Sequence, residues 1–222
     1  ISLIFYIMIK DQKGSGLLWL IVVVAVFFVG LYIGKNGLED EVKDIFKKEN
    51  FFGTGEIVSE EFELDGFSKI DFDVAGNLHL TQGEEQLVRI DADEKIMEKL
   101  IVEVEDDTLK ISLKPLTISF VSINTYVTIP DLDNITINGS GSVIGKTHFT
   151  TEKLALRING SGYLDLDLDV KELNTNIAGS GEMDLAGSAL KHFSSIEGSG
   201  DIKAASLATD NTEINIEGSG SV

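Results

Sequence analysis

Apolar and polar residues alternate with a period of two through the middle of the chain. Between Ile57 and Ile129, the runs FSKIDFDV, NLHLTQG, QLVRIDA, LIVEVED, TLKISL and NTYVTI each predict a short β-strand. Glu105-Asp106-Asp107 separates two of these runs and predicts a hairpin. Pro115 and Pro130 stand at strand edges, where a missing N–H donor is tolerated. EKIMEKL, from Glu94 to Leu100, is the helix-like piece of this region, a turn or two long.

From Ile135 the alternation becomes a repeat. Gly-Ser-Gly occurs at Gly139–Gly141, Gly160–Gly162, Gly179–Gly181, Gly198–Gly200 and Gly218–Gly220, with starts 21, 19, 19 and 20 residues apart. Two positions before each first glycine stands an isoleucine: Ile137, Ile158, Ile177, Ile196 and Ile216. Four positions after it stands an apolar residue: Val143, Leu164, Met183, Ile202 and Val222. A period near twenty without a helical pattern predicts a solenoid of β-coils, in which like residues stack about 4.8 Å apart. The glycines then share one corner, where a side chain would strike the coil below or the backbone needs positive φ. Gly14-Ser15-Gly16 has no isoleucine partner and matches by chance. Flexible linkers would not be framed by apolar residues at fixed offsets. Phosphate-binding loops would need a following helix and lysine.

The N-terminal pattern is different. Leu17–Gly34 is 18 residues without a charge. At about 1.5 Å per residue it would cover roughly 27 Å, and it predicts an uncleaved transmembrane anchor with Trp19 and Tyr32 near its ends. Lys10 and Lys13 precede it while Lys35, Lys43, Lys47 and Lys48 follow, so charge alone leaves orientation open. Residues 35–55 form a linker in which Leu38, Val42, Ile45, Phe46 and Phe52 predict an amphipathic helix resting on lipid or on the domain. Residues 1–16 are a lead. Their apolar start, ISLIFYIMI, is either the tail of an upstream span or precedes a natural start at Met8.

Composition narrows the chemistry. Eighteen Lys and Arg against 37 Asp and Glu give −19, which disfavours nucleic acid as a partner. With no cysteine there is no disulfide framework, thiolate metal site or Cys nucleophile. His79, His148 and His192 lie far apart, without a second histidine at ligand spacing. His79, flanked by leucines, is expected to point outward. Asp165, Asp167 and Asp169 alternate outward from one strand and are weak candidates for a metal site. The spread of roughly 13 Å favours a solvated face instead. Asp165, Asp167 and Asp184 could in principle serve a carbohydrate-active β-helix enzyme, but no Arg or Lys concentration accompanies them. The expectation is no catalytic residue and no cofactor.

The segment EFELDGFSKIDFDVAGNLHLTQGEEQLVRIDADEKIMEKLIVEVEDDTLKISL, the segment YVTIPDLDNITINGSGSVIG and the recurrent Gly-Ser-Gly turns together resemble the bacterial head GIN domain family, described as an auto-transporter adhesin head. The resemblance covers Glu61–Val222. It implies an all-β, right-handed parallel β-helix-like solenoid over residues 56–222, preceded here by the transmembrane helix. It also implies a periplasmic or cell-surface location. The resulting expectation is a membrane-anchored, non-catalytic, adhesin-like domain, with the lipid bilayer as one partner and a surface glycan or protein as another. The alternative is an envelope-sensing module coupled through the span. Family members usually continue for another coil or two, so a further coil is expected after Val222 to complete the stack.

Overall fold

The computed structural model describes residues 56–64, 66–114 and 122–222. Along the chain come β1 (Ile57–Phe62), β2 (Lys69–Asp73), β3 (Asn77–Gln82), β4 (Leu87–Asp93), α1 (Glu94–Met97), β5 (Leu100–Glu105), β6 (Thr108–Leu113), β7 (Ile123–Ile129) and β8 (Asn134–Gly139). Four long strands follow: β9 (Ser142–Gly160), β10 (Tyr163–Gly179), β11 (Glu182–Gly198) and β12 (Asp201–Gly218).

Each long strand runs from one Gly-Ser-Gly turn to the next and lies parallel to its neighbours. The register keeps like on like: Ile177 pairs with Ile158 and Ile196, and Leu164 with Val143 and Met183. Pairing lapses at Lys171, opposite Glu152 and Leu190, where the coil turns its second corner. Every coil therefore gives its first half to one layer and its second half to another. In the first layer, β1, β4, β7 and β3 lead to the first half of β9. In the second, β5, β6, β2 and β8 lead to its second half.

The stack begins one coil earlier than the Gly-Ser-Gly repeat. Phe72 pairs with Ile137 and Leu78 with Val143. Phe72-Asp73-Val74-Ala75-Gly76-Asn77-Leu78 is thus a divergent copy of the same corner, and Gly76 O accepts the amide of Ser142 as Gly141 O accepts that of Tyr163.

The expectation of a parallel solenoid is corrected at this end by the antiparallel pairs β1–β4 and β4–β7, while β5–β6 is the hairpin predicted at Glu105-Asp106-Asp107. For β5–β6 the reason is connection length: a parallel neighbour needs a crossover of a dozen residues or more, whereas a hairpin needs about two. The β5–β6 turn is built on Asp106 and Asp107, with φ of 50° and 63°, which matches the twist of its strands.

Alternation buries one side of each layer against the other. Ile70, Phe72, Leu78, Ile111, Ile137, Ile158, Leu164 and Ile177 belong to one continuous apolar core with no accessible surface. Of the aromatics in the repeat, Phe149 lies inside, whereas Tyr163 is half-buried and Phe193 points out.

The fold class is corrected in its helical part as well. Among the described residues no helix is long and apolar enough to cross a membrane. The helix α1 has four residues, capped by the Asp93 carboxylate accepting from Lys95 N at 3.1 Å. The span expected at 17–34, the linker at 35–55 and the lead at 1–16 lie outside the described residues. The expectations that rested on that span are not carried forward: a bilayer partner, a membrane-anchored location and sensing through the membrane. The fold is an all-β solenoid with coils of about twenty residues.

Candidate functional site

The Gly-Ser-Gly corners are joined by backbone hydrogen bonds. Ser161, Ser180 and Ser199 each donate their amide to the first glycine of the preceding coil, Gly139, Gly160 and Gly179, all at 2.8 Å. The two glycines of each turn answer different constraints. Gly179 has φ +132°, and a Cβ there would fall on the carbonyl of Gly160. A Cβ on Gly181 would stand 2.6 Å from Ile158 Cγ2 in the coil below.

The ladder residues Ile137, Ile158, Ile177, Ile196, Val143, Leu164, Met183 and Ile202 are buried. Ile216, on the last strand, is 39% exposed and Val222 is 40% exposed. These corners and ladders set the positions of the outward side chains.

On the first layer, Asp165, Asp167 and Asp169 all face outward. The structure does not bring the three together. The His148 ring reaches Asp167 through Nδ1 and Asp169 through Nε2, both at 3.1 Å. Partial desolvation would lower its pKa, but the hydrogen bonds and charges of Asp169 and Asp167 outweigh it and raise the imidazole above its ordinary value. Once protonated, the imidazole can donate from both ring nitrogens and clasp the pair. Asp169 also accepts from Ser188 Oγ at 2.6 Å, and this bond, followed by that of His148, holds its carboxyl below the usual range. Asp165 instead lies beside Asp184 of the next coil. Among the described residues no three His, Asp or Glu side chains are grouped to hold a metal ion.

His79 does sit on the outer surface, half-buried. Its ring stacks on Tyr126 at 5.0 Å, with the Arg89 guanidinium 4.3 Å from the Tyr126 ring centre. Burial, then the charge of Lys146, lowers its pKa.

His192 is inside, 2% exposed, where earlier coils place Leu154 and Leu173. Its Nε2 is 2.9 Å from Thr175 Oγ1, and burial holds the ring below its ordinary pKa. Ser194, two residues on, buries a hydroxyl that has no partner among the described residues. Sequence reasoning missed this cluster of polar groups.

It also missed the concave part of the second layer. Two outward columns run there across β8 to β12. One is Asn134, Ala155, Asn174, Phe193 and Glu213; the other is Thr136, Arg157, Asn176, Ser195 and Asn215. Between them lies an open groove of about 270 Å³. Five strands at about 4.8 Å spacing make it about 19 Å long. Ala155 and Ser195 are small, and the hollow follows from them. Phe193 raises an exposed ring from the wall, 40% accessible.

The charge pattern is as distinctive as the shape. In a chain with 37 acidic residues, these columns hold no carboxylate before Glu213 on β12. The signal was present in the sequence: aligning the repeats on their isoleucines and reading three positions and one position before them recovers both columns.

The family profile described as "Putative auto-transporter adhesin, head GIN domain" matches residues 66–222. A Bacteroides fragilis structure described as a putative adhesin is similar at 22% identity and TM-score 0.68, covering 76% of this chain and 97% of that one. A Parabacteroides distasonis putative adhesin gives 22% and 0.62, covering 76% and 81%. A second P. distasonis structure, described as a putative lipid binding protein, gives 19% and 0.59, covering 77% and 98%. At these identities the likeness is one of fold. Comparison with curated proteins gives no match.

Proposed function

The chain belongs to the head GIN domain family, and from that membership we propose that its solenoid is an adhesin-like binding domain whose ligand lies in the groove of the second layer. The similar structures are described as putative adhesins or as a putative lipid binding protein, which supports a binding role and not a catalytic one. One observation carries the assignment to this face. The groove over β8–β12 is concave, side-chain-lined and free of carboxylates until its last strand, on a molecule of charge −19. Elsewhere on the outer surface acids are paired to lysines, such as Glu182 with Lys203 and Glu152 with Lys171. Exposed pairs of that kind solubilise and contribute little to stability.

Flow cytometry of the fluorescently labelled protein on a panel of bacterial and animal cells tests the proposal. Ala155→Trp fills the groove floor, and Ser142→Trp places the same bulk on the first layer. Retention of the parent and of Ser142→Trp, with loss of Ala155→Trp at unchanged melting temperature, is expected. Equal retention of all three, or none by the parent on any cell, would end the proposal.

A further inference from the structure

Resting on the groove as the ligand site, we infer that its ligand is a neutral glycan chain lying along the solenoid axis. The groove crosses the strands, and its floor is backbone already paired from β8 through β12. A peptide lying across β8–β11, strands paired on both sides, would find no free N–H or C=O there, so recognition along the groove falls to side chains. Asparagine is the commonest of them. Asn174 and Asn176 sit side by side on β10, with Asn134 and Asn215 at the two ends. An amide offers donors and an acceptor together, the combination that a hydroxyl, itself both donor and acceptor, can satisfy. Arg157 adds a planar donor fork, and Glu213 an acceptor at the far end.

Phe193 supplies what the amides lack. Its exposed ring stands in the same column as Asn174 and Glu213. A flat apolar face between an amide and a carboxylate suits a sugar ring, which has C–H groups on its faces and hydroxyls around its rim. The other ligand classes fit less well. An acyl chain would need an enclosed apolar cavity, whereas this groove is open and carries amide, guanidinium and carboxylate side chains in its lining. A polyanion would meet a net charge of −19 with Arg157 as the groove's one cation. The axial spacing completes the argument: amides recur on β8, β10 and β12, every second coil, so a polymer of like units meets one at intervals of about 9.6 Å.

Affinity electrophoresis of the protein in gels containing a soluble α-glucan, a mixed-linkage β-glucan, a galactomannan or, as the acidic counterpart, polygalacturonate tests the inference. At least one neutral polysaccharide should retard the protein, equally at low and high salt, and polygalacturonate should not. Phe193→Ala should weaken that binding about tenfold or more, and Phe193→Tyr should retain it. Asn174→Ala/Asn176→Ala should also weaken it. All these positions face outward, so melting temperatures should match the parent's.

No retardation by any neutral polysaccharide, or stronger retardation by polygalacturonate, overturns the glycan class. The groove itself survives that result if Ala155→Trp still abolishes binding to cells. Retardation untouched by Phe193→Ala and Ala155→Trp places the glycan elsewhere and overturns both readings.

Discussion

Two glycines at the same position of the repeat allow the stacking of corners to be weighed. Gly139 and Gly179 both have positive φ, +91° and +132°. A Cβ on Gly139 would meet nothing within 4 Å, whereas one on Gly179 would strike the Gly160 carbonyl. Alanine at Gly139 therefore reports the backbone strain alone, about 1–2 kcal/mol. Alanine at Gly179 adds an overpacking cost of about 1–3 kcal/mol against rigid backbone, for a sum of about 2–5 kcal/mol. For a domain of this size 1 kcal/mol shifts the melting temperature by about 2–4 °C. The expected falls are then about 2–8 °C for Gly139→Ala and about 4–20 °C for Gly179→Ala. Thermal and urea unfolding followed by far-ultraviolet circular dichroism read both. Equal destabilisation of the two variants would refute the idea that the second constraint comes from the coil below.

Three further outcomes are expected. Burial keeps His192 neutral in the folded state and below its ordinary pKa, so the unfolded chain takes up the proton first. Its contribution is present above about pH 6.5 and is lost as pH falls below that value. His192→Leu should flatten the acid limb of a melting-temperature profile taken between about pH 5 and 8, leaving the opposite trend of His148, whose raised pKa favours the folded state at low pH. Ile177→Ala should cost about 2–5 kcal/mol in urea unfolding, and Ile216→Ala, at the same repeat position but exposed, under about 1 kcal/mol. Ser194→Ala, which removes a buried hydroxyl without a partner among the described residues, should stabilise by about 1 kcal/mol in the same assay.

The solenoid was legible because a corner tolerates so few residues. Where coils stack, only glycine fits at Gly179 and Gly181, and the isoleucine two positions earlier has a fixed place inside. The coil at Phe72–Leu78 escaped notice because Val74 and Ala75 stand where later turns have glycine and serine, with only Gly76 kept. Antiparallel pairing of β1 with β4 and of β4 with β7 could not be read, since alternation says which face a residue takes and not which strand lies beside it. The polar side chains of Thr175, His192 and Ser194 look like surface residues until the alternation is counted inward from Ile177 and Ile196. The aspartates were legible as outward-facing, but not their clasp by His148, which the Asp167–His148 pairing next to a register shift between β9 and β10 creates. The groove depends on small residues falling in step in successive coils, a property of columns and not of any one segment.

Parallel stacking also gives the molecule a direction. The second half of β9 lies on β8, β10 lies on β9, β11 on β10 and β12 on β11 alone. Each coil shares its register with the coil on either side, so the stack is counted in whole coils and an error of register in one must be absorbed by its neighbours. The groove is subject to the same rule, because its length is counted in whole coils. Duplicating about twenty residues between two corners would extend it by one step of about 4.8 Å, with every local contact already specified. Removing a coil would shorten it by the same step. In such a molecule the reach of the binding face can change by whole units while the chemistry within each unit stays as it was.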